Sequence, residues 1–181
     1  MIIGIVGTNG AGKGTVVEYL VRKGFSHYSA SGFISEEIVR RGMPVNRDSM
    51  NIVGNDLRRL HHPAYLFEQL YARAVAAGGD AVLEAPRALA EAAFLKERGV
   101  LLIAVDADRA TRYERVAKRG TTKDNVTFEQ FSAQEDRELA QAEAHMMNIN
   151  GVMKMADATL HNDGALGDLH AQIDAALAAF K

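Results

Sequence analysis

An α/β fold built on a parallel sheet is predicted by three features of the 181-residue sequence. Five short apolar runs alternate with longer segments of helical period. A glycine-rich stretch joins the first run to the first helix. No repeat, low-complexity tract or Pro/Gly/Ser linker breaks the alternation. Strands alternating with helices require right-handed crossovers, which place helices on both faces of a parallel sheet.

The elements follow in chain order. Met1–Val6 is the first strand, and its continuous apolar character suits burial on both faces. Lys13–Arg22 is helical, with Val16, Val17, Leu20 and Val21 on one side. Phe25–Tyr28 is a short second strand. Helical patterns at Glu36–Arg41, Asp48–Leu60 and Ala64–Ala77 come next. The turn Gly78-Gly79-Asp80 introduces a third strand, Ala81–Glu84, and then a helix, Ala88–Arg98. Val100–Val105, six apolar residues in a row, is the fourth strand. Helical patterns cover Arg109–Lys118 and Phe128 to about Met147. Ala158–His161 is the fifth strand, and Leu166–Phe180 the closing helix. The three prolines, Pro44, Pro63 and Pro86, all stand near element boundaries.

Composition narrows the function. At this length one domain is expected, large enough to bury a core without a staple. There is no cysteine, hence no disulfide and no thiolate metal site, which fits a reducing compartment. Hydrophobic residues make up 48% and charged residues 24%, ordinary globular values. The net charge of -2 argues against coating a nucleic-acid backbone but leaves room for a local basic pocket. No run approaches 18 apolar residues, and the start of the chain lacks the pattern of a signal peptide. A cytoplasmic protein, monomer or homodimer, that engages neither membrane nor nucleic acid is expected.

The strongest motif is Gly7-Thr8-Asn9-Gly10-Ala11-Gly12-Lys13-Gly14-Thr15, set between a strand and a helix. Glycines let the chain curl so that successive N–H groups point inward, and the helix N-terminus adds partial positive charge. Lys13 then reaches the outer phosphates of a bound nucleotide. A strict P-loop has Ser or Thr directly after the lysine; here Gly14 intervenes and Thr15 comes one later.

The Gly12-Lys13-Gly14-Thr15 ending resembles the nucleoside monophosphate kinases, whose loop reads G-x-x-G-x-G-K-G-T. Their superfamily includes adenylate kinase-like and dephospho-CoA kinase-like enzymes, and the resemblance runs over most of the chain. It implies a three-layer P-loop kinase fold in a single domain, 1–181, with a five-stranded parallel sheet between helices. It also implies a helical acceptor-binding insertion at about 30–62 and a short lid at about 115–140. ATP and Mg²⁺ are the implied cofactors, and a small nucleotide the implied acceptor.

Leu83-Glu84-Ala85-Pro86-Arg87 closes the third strand and resembles the D-G-x-x-R or D-G-x-R element of these kinases. By that resemblance Glu84 lies near Mg²⁺ and its waters together with Thr15, and Arg87 binds the acceptor's phosphate. The chemistry agrees, since a carboxylate suits a hard cation and arginine suits a phosphate. The acceptor segment from Ser29-Ala30-Ser31-Gly32-Phe33 to Arg58 departs from the family pattern S-T-G-D-x-x-R. Gly32 stands at the acid and Ser35 at the arginine. Arg40, Arg41, Arg47, Arg58 and Arg59 are nearby substitutes.

After the fourth strand, Arg112, Arg115 and Arg119 share one helical face, and Arg137 lies in the next helix. Phosphoryl transfer spreads charge over equatorial oxygens, and an arginine brought to it is worth about 10³–10⁵ in rate. Arg115, Arg119 and Arg137 are therefore catalytic candidates with Lys13, Arg87 and Glu84. Asn162, in His161-Asn162-Asp163-Gly164, resembles the loop that lies against the donor base in dephospho-CoA kinase-like members. No His pair has metal-ligand spacing, and Met146, Met147, Met153 and Met155 suit packing.

The expected activity is transfer of the γ-phosphoryl group of MgATP to a nucleoside or deoxynucleoside monophosphate. A dephospho-CoA kinase, with a 3′-hydroxyl acceptor, is the rival. A carboxylate base helps a hydroxyl acceptor; after the second strand no acid appears before Glu36, which leaves Glu84 as the alternative base. A nucleotide-dependent switch that only hydrolyses is a third reading.

Overall fold

The computed structural model describes residues 1–119, 127–139 and 148–180, without the side chains at 47, 134 and 137–139. Five parallel strands form one sheet: β1 (Ile2–Gly7), β2 (Ser26–Ser29), β3 (Ala81–Glu84), β4 (Leu101–Asp106) and β5 (Ala158–His161). Their order is β2-β3-β1-β4-β5. The register sets Ile5 beside Glu84 and Ile103, and Ser29 beside Glu84. The ends of β1, β2 and β3 therefore converge at one edge of the sheet, where ligands of open parallel sheets bind.

The helices among the described residues are α1 (Lys13–Arg22), α2 (Ala30–Arg40), α3 (Arg47–Leu60), α4 (Tyr65–Ala77) and α5 (Leu89–Glu97). After β4 come α6 (Arg109–Arg119), α7 (Phe128–Leu139), α8 (Ile149–Lys154) and α9 (Leu166–Ala179). Alternate residues of β1 serve the two faces. Ile3 and Ile5 pack with Val16 and Leu20 of α1 and with Leu169 and Ile173 of α9. Val6 faces the other way, towards Ala92 of α5 and Val152 of α8. A third cluster joins Leu83 to Ile34, Ile38, Val53, Leu57, Leu66 and Phe67 of α2, α3 and α4. The central strands are buried on both sides, as their unbroken apolar runs require.

The strands, α1, α3 to α6 and α9 fall within a residue or two of the sequence-based expectation. Two helices do not. α2 begins at Ala30 instead of Glu36, because the Ser29 hydroxyl caps it by accepting from Gly32 N at 3.0 Å. Polar Ser-Ala-Ser-Gly hides that start. The short α8 was not expected at all. Asn148 caps it by accepting from Gly151 N at 2.8 Å, and six residues are too few for a helical period to show. In the long helix expected to about Met147, α7 reaches Leu139, and Met146 and Met147 lie outside the described residues. No helix among the described residues is long and apolar enough to cross a membrane.

Candidate functional site

The glycine loop is fixed by what surrounds it. Gly12 is left-handed, at φ 100°, and a side chain there would overlap the Asn162 carboxamide. That carboxamide is buried and donates to Ala11 O at 2.8 Å. Arg115 donates to Asn162 O at 2.6 Å and to Gly10 O at 3.5 Å. Arg119 Nη2 meets Asn9 Oδ1 at 3.3 Å. Thus α6 and the turn after β5 hold the loop from two sides.

Lys13 folds over the loop and donates to Gly7 O and Thr8 O, both at 2.8 Å. Burial, then the nearby Arg87 guanidinium, push its ammonium down to about 8, with Glu84 opposing. A lysine so poised gains most when an anion arrives to offset the lost hydration. The Thr8 hydroxyl is buried without a hydrogen-bond partner.

Two cavities meet here. The smaller, about 440 Å³, is bounded by the loop from Asn9 to Thr15 and by Arg115 and Arg119. The larger, about 1070 Å³, lies between the ends of β2 and β3 and the helices α2 and α3. Ser29, Ile34, Met50, Asn55, Arg58 and Arg87 line it. Lys13 and Glu84 belong to both walls. The structure therefore brings together Lys13, Thr15, Glu84, Arg115 and Arg119 around one space, and Arg87 in the adjoining one.

The end of β3 carries features not foreseen from sequence. Glu84 Oε2 sits 2.9 Å from Nε2 of His27 on β2, two residues down the neighbouring strand on the same face. The next residue, Ala85, has φ 68°, in the left-handed region, while its N–H is held by Ile5 O at 2.8 Å. Glycine occupies this position in the motif that the stretch resembles. Arg87 follows, exposed on the wall of the larger cavity. Its backbone N–H donates to Glu91 Oε2 at 2.7 Å.

Glu91 is fully buried and pairs through Oε1 with Arg58, at 3.1 Å from Nε and 3.0 Å from Nη2. The spacing of a capping glutamate three residues after the N-cap, Ala88, could have revealed its backbone role. Nothing local signals a partner 33 residues away.

The arginines expected to act together divide. Arg112 is buried, donates to Ala107 O at 2.8 Å and pairs with Glu135 of α7. Its guanidinium is therefore engaged by α7, while Arg115 and Arg119 reach the glycine loop. Arg137 is in α7, with its side chain outside the described residues. In the segment expected to bind an acceptor, Arg40 pairs with Glu37, Arg41 with Glu37 and Asp56, and Arg59 with Asp56. Two arginines on Glu37 hold its carboxyl down to about 2. Ser35, where adenylate kinase-like enzymes carry an arginine, reaches Met50 Sδ at 3.5 Å. The Arg47 side chain lies outside the described residues.

The oxygen donors present suit a hard cation: the Thr15 hydroxyl and the Glu84 carboxylate border the same small cavity. No cluster of three or more His, Asp or Glu fit for a metal occurs among the described residues. His61 stacks on Tyr65 with centroids 3.8 Å apart, and His62 meets Glu68 at 3.0 Å. Met153 and Met155 pack beside Val152.

A family model described as "AAA domain" matches residues 3–155. A UPF0200 protein of Thermococcus sibiricus is 29% identical, over 96% of this chain and 92% of its own. The crystal structure of TT1252 from Thermus thermophilus aligns with a TM-score of 0.64 at 22% identity, covering 100% of this chain and 98% of that one. Shikimate kinase from Acinetobacter baumannii, solved with shikimate, also gives 0.64, at 17% identity, over 99% and 94% of the two chains. These likenesses show a P-loop kinase-like α/β fold.

Proposed function

This chain belongs to the AAA-domain family, and from that premise we propose that it is an ATP-dependent phosphotransferase whose acceptor is a nucleoside or deoxynucleoside monophosphate. The observation that carries the reading is the meeting of two cavities at Lys13 and Glu84. A hydrolase needs one nucleotide site; a transferase needs two that touch.

The donor's phosphates lie along the loop amides from Gly7 to Thr15, with Lys13 leaving its two carbonyls to meet them. Arg115 and Arg119 approach from α6 and offset the charge that develops on the transferring group. Asn162 keeps the loop in shape through Ala11. Thr15 and Glu84 would hold Mg²⁺, the latter partly through water, and the ion would neutralise the outer phosphates. Arg87 receives the acceptor's phosphate. Its charge is felt at Lys13, so an anion bound there lies beside the donor site. Binding both anions across one junction turns transfer into an effectively unimolecular step.

A second reading takes a hydroxyl acceptor, as in dephospho-CoA kinase. It is favoured by the His27–Glu84 hydrogen bond at 2.9 Å, which presents an oriented carboxylate at the junction. There Glu84 would accept the hydroxyl proton.

ADP release from ATP, measured with AMP, GMP, CMP, UMP, dTMP and dephospho-CoA, tests both. Turnover with a monophosphate supports the first reading. Turnover with dephospho-CoA alone overturns it, and hydrolysis indifferent to every acceptor overturns both.

A further inference from the structure

Among the described residues, Glu91 is a fully buried carboxylate beside the larger cavity. It is divided between two jobs. Oε2 accepts from Arg87 N at 2.7 Å and Ala88 N at 3.0 Å. Oε1 accepts from Arg58 Nε at 3.1 Å and Nη2 at 3.0 Å. The first job fixes the backbone of the residue proposed to meet the acceptor's phosphate. The second reaches across to α3, whose residues form the far wall of the acceptor cavity.

Arg58 is itself 13% exposed, and its Nη1 lies 3.4 Å from Gly54 O, one turn earlier. At Gly54 a side chain would crowd Ile34 of α2 and reach Arg58, so the Gly54–Arg58 turn is where α3 seats on α2. α3 packs on α2 and α4, while Arg58 projects from that unit to Glu91 in the first turn of α5. A buried ion pair is a poor way to add stability, because desolvation offsets the attraction. It is a good way to fix register, because two oxygens and a planar guanidinium fit in one arrangement.

We propose that Glu91 is a positioning residue that couples the seating of α3, the acceptor wall, to the placement of Arg87. The inference rests on the reading that Arg87 meets the acceptor. When α3 closes on an acceptor, Arg58 draws on Glu91 and the Arg87 backbone is held in place. When α3 is displaced, Glu91 loses its counter-ion and its hold on Arg87 N slackens. The acceptor thereby tightens its own phosphate site, and the donor site behind Lys13 is untouched.

Glu91→Gln separates the two jobs, since one carboxamide oxygen can keep the backbone N–H groups while the NH₂ cannot accept from Arg58. Arg58→Met cuts the link from the other end, and the double variant leaves no buried charge unpaired. With the best monophosphate acceptor, each single variant should raise acceptor KM by roughly tenfold with ATP KM unchanged. The double variant should do no more than either alone, where independent sites would multiply. Lowered melting temperatures with acceptor KM unchanged in all three would overturn the proposal in favour of a purely structural pair.

Hydrogen exchange in the absence of any acceptor provides a separate arm. Arg58→Met should speed exchange at the Arg87 and Ala88 amides by about tenfold while the amides of β1 and β4 keep their protection. Unchanged exchange at Arg87 and Ala88 overturns the coupling. A wild-type protein that uses no acceptor overturns the transferase reading, and the exchange result then decides the coupling by itself.

Discussion

His27 on β2 and Glu84 on β3 face the same side of the sheet and share a hydrogen bond of 2.9 Å. The imidazole fixes which way the carboxylate points at the junction of the two cavities. His27→Leu leaves Glu84 free to rotate. It should lower kcat by roughly tenfold, the worth of one charge-assisted hydrogen bond, with both KM values nearly unchanged. His27→Gln, which keeps an N–H donor, should recover most of the loss. Parallel loss in both variants would show that the ring's shape, not its hydrogen bond, matters.

Lys13 gives a pH dependence. Its ammonium is pushed down to about 8 by burial and by Arg87. A bound phosphate raises that value again, because opposite charge favours the charged form. Below about pH 8 the lysine is already charged and nucleotide binds without proton uptake. Above it, binding must take up a proton, so ADP affinity should fall by up to about tenfold per pH unit. Calorimetry at pH 7 and pH 9 in buffers of different ionisation heat reads the uptake directly. Equal affinity and no uptake at pH 9 would refute the assignment. Lys13→Ala should remove both the pH dependence and phosphoryl transfer while the far-ultraviolet spectrum stays native.

Ala85 stores strain beside Glu84. A left-handed conformation costs an L-residue roughly 1–2 kcal/mol, part of which glycine returns through its freer unfolded chain. Ala85→Gly should therefore stabilise the protein by about 0.5–1 kcal/mol. Ala85→Val, branched at Cβ, should destabilise it. Chemical denaturation of the two variants checks the opposite signs.

Arg112 and Arg119 share a helix and should behave in opposite ways. Arg112→Met removes one of the two arginines on buried Glu135, the other being Arg109 at 3.0 Å, so it should lower thermal stability by less than the about 3–5 kcal/mol of a wholly unpaired buried charge. The fraction that remains folded should retain its kcat. Arg119→Met, on the exposed end of α6, should leave stability nearly unchanged and lower kcat by about 10³ or more. Denaturation curves and initial rates measured on the same preparations separate the two effects.

What sequence made legible follows from the range of the interactions. The glycine loop, its lysine and the strands are local patterns, and they stand close to where periodicity and turn chemistry put them. The ion pairs are not local. Arg58 with Glu91, His27 with Glu84 and Arg112 with Glu135 join residues 33, 57 and 23 positions apart. Helical spacing put Arg112 on the same face as Arg115 and Arg119. It could not tell that α7 covers part of that face. For the same reason the arginines between residues 40 and 59 looked available to an acceptor. Glu37 and Asp56 neutralise three of them.

The central claim is that Lys13 faces the donor and Arg87 the acceptor, across one junction. Steady-state kinetics of Arg87→Ala against the wild-type protein, varying ATP and the best acceptor in turn, test it most directly. Loss of a charge-assisted partner is worth on the order of 1.5–3 kcal/mol, so acceptor KM should rise roughly 10- to 100-fold with ATP KM unchanged. A rise in ATP KM with acceptor KM unaffected would place Arg87 on the donor's side and contradict the account.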